Sequence, residues 1–323
     1  MSNLRKVQQT PTGTFFVCVP KSWAQQNGLK KGSMVNLEVN GDGKLFIDAK
    51  YGSELQQKMS TLSVGPFLSR EIIGRYLLGF DIIRIEAKDR INLEVRDHVK
   101  STVSSLVGLE IVEESYSQVV LHCLLDHSVS QPEKILRRNN AIVSGMVRDI
   151  INSFFNGDLQ LAKTVAARDV ESNRLYFLLV RILRTIIQNP CLSEKLGITP
   201  IDCLDYRLAA NLIESMGDAC VQVATKTLNL HGFKLSVELT NLLIDLQTAC
   251  LEANEQAINS FINKDMSIAE NVRKTKTQIS NIYASIEKAA KNQSVDVMSQ
   301  LIVAISFMRQ IYEHSLDIAD LVA

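Results

Sequence analysis

Asp202-Cys-Leu-Asp-Tyr-Arg-Leu-Ala-Ala-Asn-Leu-Ile-Glu-Ser-Met-Gly-Asp218 reads as a helix and sets Glu214 and Asp218 four residues apart, one turn along it. Two carboxylates on one face suit a cation, and they equally suit solvent. A chain with 35 acidic residues among 323 produces such spacings by chance, so the pair gains meaning only from its setting. That setting is a repeat. Leu212-Ile-Glu-Ser-Met-Gly-Asp218 is echoed by Ile311-Tyr-Glu-His-Ser-Leu-Asp317, 99 residues further on.

From Gln131-Pro132 the chain reads as helical to its end. Pro132 with Glu133 makes a good first turn. Breaks fall at Asn156-Gly-Asp158, Asn189-Pro190 to Thr199-Pro200, His231-Gly232, Asn263-Lys-Asp265 and near Asn292 to Ser294. These predict six long helices over 132–156, 158–188, 200–230, 235–262, 265–291 and 294–322, packed as antiparallel neighbours. They divide into two sets of three, 131–231 and 232–323, and the shared phrase closes the third helix of each set. An internal duplication follows.

The other end of the chain reads differently. Leu4 to Gln9 is one strand, Thr10-Pro-Thr-Gly13 a turn, and Thr14-Phe-Phe-Val-Cys-Val19 a second strand. Pro20 to Gly28 is a short helix ended by Asn27-Gly28. Met34 to Val39 and Lys44 to Asp48 form a hairpin about Asn40-Gly-Asp-Gly43. A unit of residues 1–52 with four short strands buries too little surface to stand alone, which favours pairing with a second copy. It is also the basic part of a chain whose net charge is zero, with seven Lys or Arg against three Asp or Glu in residues 1–50. An anionic partner is suggested only there. Trp23 reads as a core anchor in preference to a nucleobase platform.

Residues 60–128 read as a small α+β module. It has a helix over 69–78, a strand over 81–86, a second helix over 98–106, and strands over 108–114 and 118–124. Its glycines match no nucleotide fingerprint, Glu113-Glu114 and Arg70/Arg75 read as surface charges, and a spacer or dimerising role is expected.

The remaining signals are exclusions. The most apolar stretch, Leu175 to Ile187, is interrupted by Arg181 and Arg184, and no apolar leader opens the chain, so a cytosolic protein with no membrane insertion is expected. The six cysteines are widely spaced without a Cys-x-x-Cys, and buried free thiols are expected. No Ser/His/Asp or Cys/His constellation is present, which argues against an enzyme.

Two resemblances sharpen this reading. Val19-Pro20-Lys21 followed by Trp23, Asn27-Gly28-Leu29, Lys31-Gly32 and Asp42-Gly43 resembles the AbrB/SpoVT family of swapped-hairpin DNA-binding domains. The likeness implies a barrel interleaved between two chains of a homodimer. It also implies DNA contacts from Arg5, Lys6, Lys21, Lys30 and Lys31. The helical part, with its acidic pairs, Leu175-Tyr176-Phe177, Arg181 and Asp202-Cys203-Leu204-Asp205-Tyr206-Arg207, resembles the archaeal type of the PhoU family.

That family's fold is two three-helix bundles. Its members bind multinuclear iron or zinc clusters through two acidic pairs per repeat, and act as negative regulators of phosphate uptake. The implied ligands here are Asp169, Asn173, Glu214 and Asp218 in the first repeat, and Glu270, Glu313 and Asp317 in the second. The motif is degraded: Asn173 stands where the family has Asp, and so does Lys274. An iron, a zinc, another divalent ion or none at all is compatible with that set. Asn173 can still offer a carbonyl oxygen, whereas Lys274 is expected to form a salt bridge with Glu313 or Asp317. The chain as a whole then reads as mainly α with a β N-terminal domain. Its function reads as a phosphate-homeostasis regulator coupled to a DNA-binding dimer, or as an adaptor docking on a phosphate transporter or signalling kinase.

Overall fold

The computed structural model describes residues 4–39, 43–49, 57–125, 131–228, 235–291 and 293–322. The Asn40-Gly-Asp tip of the expected hairpin, the His231-Gly232 break, residues 229–230 of the third long helix, and Asn292 lie outside them. The chain divides into two compact units, Met1–Gln57 and Lys58–Ala323.

In the first unit β1 (Gln8–Gln9) pairs antiparallel with β2 (Phe15–Phe16), and β3 (Asn36–Val39) with β4 (Leu45–Asp48). Helix α1 (Lys21–Gln26) lies between the hairpins. Gly28 follows it at φ +66°, the left-handed conformation that Asn27-Gly28 led us to expect. The expected strands are longer than those found: among the described residues pairing is confined to Gln8–Gln9 with Phe15–Phe16 and to Asn36–Val39 with Leu45–Asp48. The described residues of this unit form no closed barrel, and none of them is buried: Phe15, Phe16, Val17, Met34, Leu37, Leu45 and Phe46 are all exposed.

The second unit opens with a four-stranded sheet in the order β5-β6-β8-β7, made of β5 (Met59–Ser63), β6 (Ile82–Glu86), β7 (Leu109–Glu114) and β8 (Gln118–Cys123). β5 runs parallel to β6 through the crossover helix α2 (Leu68–Leu77), and the other pairings are antiparallel. Helix α3 spans Leu93–Ser104, five residues earlier than expected, because Asn92 caps it by accepting from Val95 N. The strand β5 was missed, since Met-Ser-Thr-Leu-Ser has a single inward apolar residue, Leu62. Ile83, Ile85, Val119 and Leu121 face the two helices and form this module's core with Ile72, Tyr76, Val99 and Val103.

The long helices fall close to expectation: α4 (Pro132–Asn156), α5 (Leu159–Gln188), α7 (Pro200–Leu228), α8 (Val237–Asn263), α9 (Met266–Ala290) and α10 (Val295–Ala319). The short α6 (Pro190–Leu196) fills what reads as a loop. Punctuation explains the boundaries. Gly157 ends α4 at φ +64°, and Asp158 starts α5 by accepting from Gln160 N and Leu161 N. Helices α4, α5 and α7 pack on one another, as do α8, α9 and α10, around one continuous apolar core.

A row of polar contacts joins the two bundles. Arg137 Nη1 donates to Asn259 Oδ1 at 2.7 Å, Ser144 Oγ to Asn254 Oδ1 at 3.4 Å, and Gln247 Nε2 to Val147 O at 3.0 Å. Gln247 and Asn254 are buried. Burial of such groups is tolerated because each finds a partner. Cys123, Cys203, Cys220 and Cys250 are buried free thiols as expected, while Cys18 is free and exposed. No helix of the described residues is long and apolar enough to cross a membrane.

Candidate functional site

The first-repeat acidic residues come together where α5 and α7 cross. Gly217 gives the crossing room: a Cβ there would stand 3.3 Å from Asp169 Oδ1, so that carboxylate would have to give by a few tenths of an ångström, and 3.6 Å from Ser172 Oγ, an ordinary contact. Asn173 Nδ2 donates to Asp169 Oδ2 at 2.8 Å, and Asp169 Oδ1 is buried without a hydrogen-bond partner. Burial, and then the charge of Asp218, push the Asp169 carboxyl above its ordinary range, against the Asn173 bond. Burial, followed by Asp218 and Asp169, does the same to Glu214, against nearby Arg207. Arg207 in turn lies 4.7 Å from the centre of the Tyr176 ring.

The cluster is therefore oxygen-rich, self-repelling and short of positive charge. Its geometry does not complete a metal site. Among the described residues no group of three or more His, Cys, Asp or Glu side chains is placed to hold an ion, and the Asn173 amide turns its NH2, not its carbonyl, toward Asp169. The donor set thus does not fit a resident metal cluster as it stands.

In the second repeat Glu270 and Glu313 are held in ion pairs with arginines. Glu270 meets Arg273 at 2.5 Å, Arg273 also meets Asp320 at 2.6 Å, and Glu313 meets Arg309 at 2.9 Å. Asp317 lies 3.8 Å from His314. The expected bridge from Lys274 to Glu313 or Asp317 is not formed. Lys274 lies instead in the groove between α8 and α9, beside Asp245 and Glu252, while Glu313 and Asp317 belong to α10.

In the first unit Arg5, Lys6, Lys21, Lys30 and Lys31 are exposed, and none has an ion-pair partner among the described residues. Trp23 is half-buried, and none of the described residues of this unit is fully buried around it.

Sequence reading missed the residues that tie the sheet module to the bundle. Arg181 of α5 is fully buried. Its Nη1 donates to Tyr76 O at 2.6 Å and Phe80 O at 2.9 Å, and its Nη2 to Asp81 Oδ1 at 3.3 Å. Asp81 Oδ2 accepts from Lys58 N at 2.8 Å, and Lys58 Nζ donates to Leu78 O at 2.8 Å. An arginine inside the most apolar stretch of the chain was the available signal, since a charge in such a place is buried only when partnered.

Two consecutive three-helix bundles, with an acidic crossing in the first, make up the helical part of the chain. Residues 136–227 match the PhoU domain family model, and residues 8–56 match the model described as antidote-toxin recognition MazE, bacterial antitoxin. The first match spans the repeat that keeps its acidic pair. The crystal structure of PhoU from Pseudomonas aeruginosa superposes with a TM-score of 0.51 at 18% identity, covering 59% of this chain and 93% of that one. The phosphate transport system regulatory protein PhoU from Streptococcus pneumoniae gives 0.49 at 15% identity, covering 59% and 91%. No curated protein matches the chain. The chain thus carries a PhoU-like helical part behind a small β domain of the MazE/AbrB kind.

Proposed function

We propose that the protein is a cytoplasmic regulator of phosphate uptake, in which the PhoU-like part is the sensor and the N-terminal domain a DNA-binding homodimer. The reading of the N-terminal domain is supported chiefly by one observation: that unit buries none of its described residues, yet displays eleven large apolar side chains, and Arg5, Lys6, Lys21, Lys30 and Lys31 have no ion-pair partner among the described residues. A unit of this composition becomes stable when a second copy covers its apolar face. Pairing doubles the cations and sets them about a two-fold axis, as a duplex with two half-sites requires. The cations would contact phosphates, giving affinity and position without reading bases.

The acidic crossing of the first repeat supplies the other half of the proposal. Three carboxylates held at the cost of mutual repulsion form an element whose charge state biases how α5 and α7 pack. The test is binding of the full-length protein to duplex DNA as a function of salt. Binding at 50 mM salt should weaken steeply toward 200 mM, and Arg5→Ala with Lys6→Ala should reduce the slope by about 2 per chain. An unmutated protein that shows no binding at low salt defeats the proposal.

A further inference from the structure

Where α4 faces α8, the seam between the two bundles opens into a cleft of about 260 Å³. Arg137, Asn140, Ser144 and Arg148 line it from α4, and Glu255 and Asn259 from α8. The polar groups of this lining are unevenly used. Arg137 Nε donates to Glu133 Oε1 at 3.0 Å and its Nη1 to Asn259 Oδ1 at 2.7 Å, so the Asn259 carbonyl is occupied and its NH2 is the donor that remains. Arg148 and Glu255 are exposed, and neither has an ion-pair partner among the described residues. Asn140 is only 8% exposed, and its Oδ1 is buried without a hydrogen-bond partner. Buried acceptors are normally satisfied. This one calls for a donor that the chain itself does not bring.

We propose that the cleft is a binding site for a small oxyanion that carries its own proton, and that its ligand is inorganic phosphate. The choice of phosphate rests on the regulator reading above, whereas the chemical class follows from the lining. Guanidinium groups suit the oxygens of a tetrahedral anion in charge and in the geometry of their fork. Here, however, two arginines are balanced by Glu133 and Glu255, so the cleft is no general trap for anions. An anion without a proton meets Glu255 as a like charge and leaves the Asn140 acceptor unserved. Hydrogen phosphate can turn its bare oxygens to Arg148 and the Asn259 amide while its P–OH donates to Glu255 or to Asn140 Oδ1. Sulfate has the same shape and no proton at neutral pH, and it is therefore the control that the lining defines.

Size and setting agree with an ion. The cleft is smaller than the roughly 300–1,000 Å³ of sites that enclose drug-sized ligands. It is also held open by contacts that exist without a ligand, since the Arg137–Asn259 and Ser144–Asn254 hydrogen bonds already join the bundles at this point. A site organised in advance loses less freedom on binding.

Calorimetric titration of the full-length protein with inorganic phosphate, and separately with sulfate at matched ionic strength, tests this without DNA. One phosphate per chain is expected, with sulfate at least tenfold weaker. Arg148→Met, at an exposed position, should weaken phosphate binding at least tenfold. Glu255→Gln removes the like charge, so sulfate should gain and the preference for phosphate should fall at least threefold. The inference is overturned by an absence of phosphate binding up to about 10 mM, by equal affinity for the two anions, or by unchanged phosphate affinity in Arg148→Met. A protein that binds phosphate in this way and no DNA refutes the proposed function and leaves the site standing. One that binds DNA but no phosphate does the reverse.

Discussion

Asn173 hydrogen-bonds Asp169 one turn away, its amide occupying the side of the carboxylate where the PhoU pattern sets another acid. The amide is a neutral donor, so it partly compensates the charge that burial and Asp218 make unfavourable. Replacing it reverses the sign of that contact. Asn173→Asp is expected to lower stability at pH 7 in chelator by about 0.5–1 kcal/mol, the scale of a part-exposed charge interaction. Millimolar divalent cation should restore it. Thermal melts with and without metal check both halves of the expectation.

The same crossing governs the pH dependence of folding. Asp169 and Glu214 are both raised above their unfolded values, so the folded chain holds their protons more tightly than the unfolded chain does. Stability is then favoured by these groups below their unfolded range and declines as pH rises through their raised values. Glu214→Gln should flatten this decline and stabilise the protein by about 0.2–1 kcal/mol at pH 7. Urea midpoints between pH 4.5 and 8 measure it, and a steeper decline in the variant would contradict the assignment.

The N-terminal unit should be dimeric through its apolar hairpins. Leu37 and Leu45 share one face of the β3–β4 ladder, since Leu37 pairs with Ile47 and Leu45 with Val39, and both are exposed within one chain. Burying each against a second copy contributes about 1.5 kcal/mol or more. Leu37→Asp with Leu45→Asp should therefore weaken association by at least a hundredfold, about 3 kcal/mol. Light scattering across a dilution series would show a dimer giving way to monomer in the variant alone.

Gly108 has φ +72°, and a Cβ there would stand 2.5 Å from Leu125 Cγ. Gly108→Ala is expected to cost about 1–3 kcal/mol from the backbone conformation alone, with the crowding of Leu125 added. Chemical denaturation gives the figure. A neutral substitution would mean that the turn before β7 relaxes freely.

Metal content is a direct measurement. Purified without chelators, the protein is expected to contain well under one iron or zinc per chain, because Glu270 and Glu313 of the second repeat are paired with arginines and the first-repeat set among the described residues is incomplete as it stands. Stoichiometric metal would show that the crossing rearranges on binding.

What the sequence made legible is what local chemistry controls. Pro132, Gly157, Asp158 and Ser294 place helix ends because caps and turns are satisfied by residues a few positions away. Recurrence of the Glu214/Asp218 phrase at Glu313/Asp317 fixed the two-bundle architecture, yet it did not foretell that Arg309 takes Glu313. Lys274 faces the groove between α8 and α9 and not Glu313 or Asp317; periodicity locates a residue on its helix without saying which neighbour that face meets. Arg181, Gln247 and Asn254 were illegible for a related reason. Each is a polar residue in an apolar stripe, and each is satisfied by groups from elements far away in the chain.

The contacts of Arg137, Ser144 and Gln247 with the facing bundle have a bearing on how this duplicated fold can move. Two similar bundles with apolar faces could slide past one another by a helical turn, about 5.4 Å, and still bury comparable area. Here such a slip would strand the buried amides of Gln247 and Asn254 without partners. The seam has one low-energy alignment, as a key has in its lock. A signal crossing from one bundle to the other must therefore pivot about that seam or prise it open, since it cannot ratchet along it.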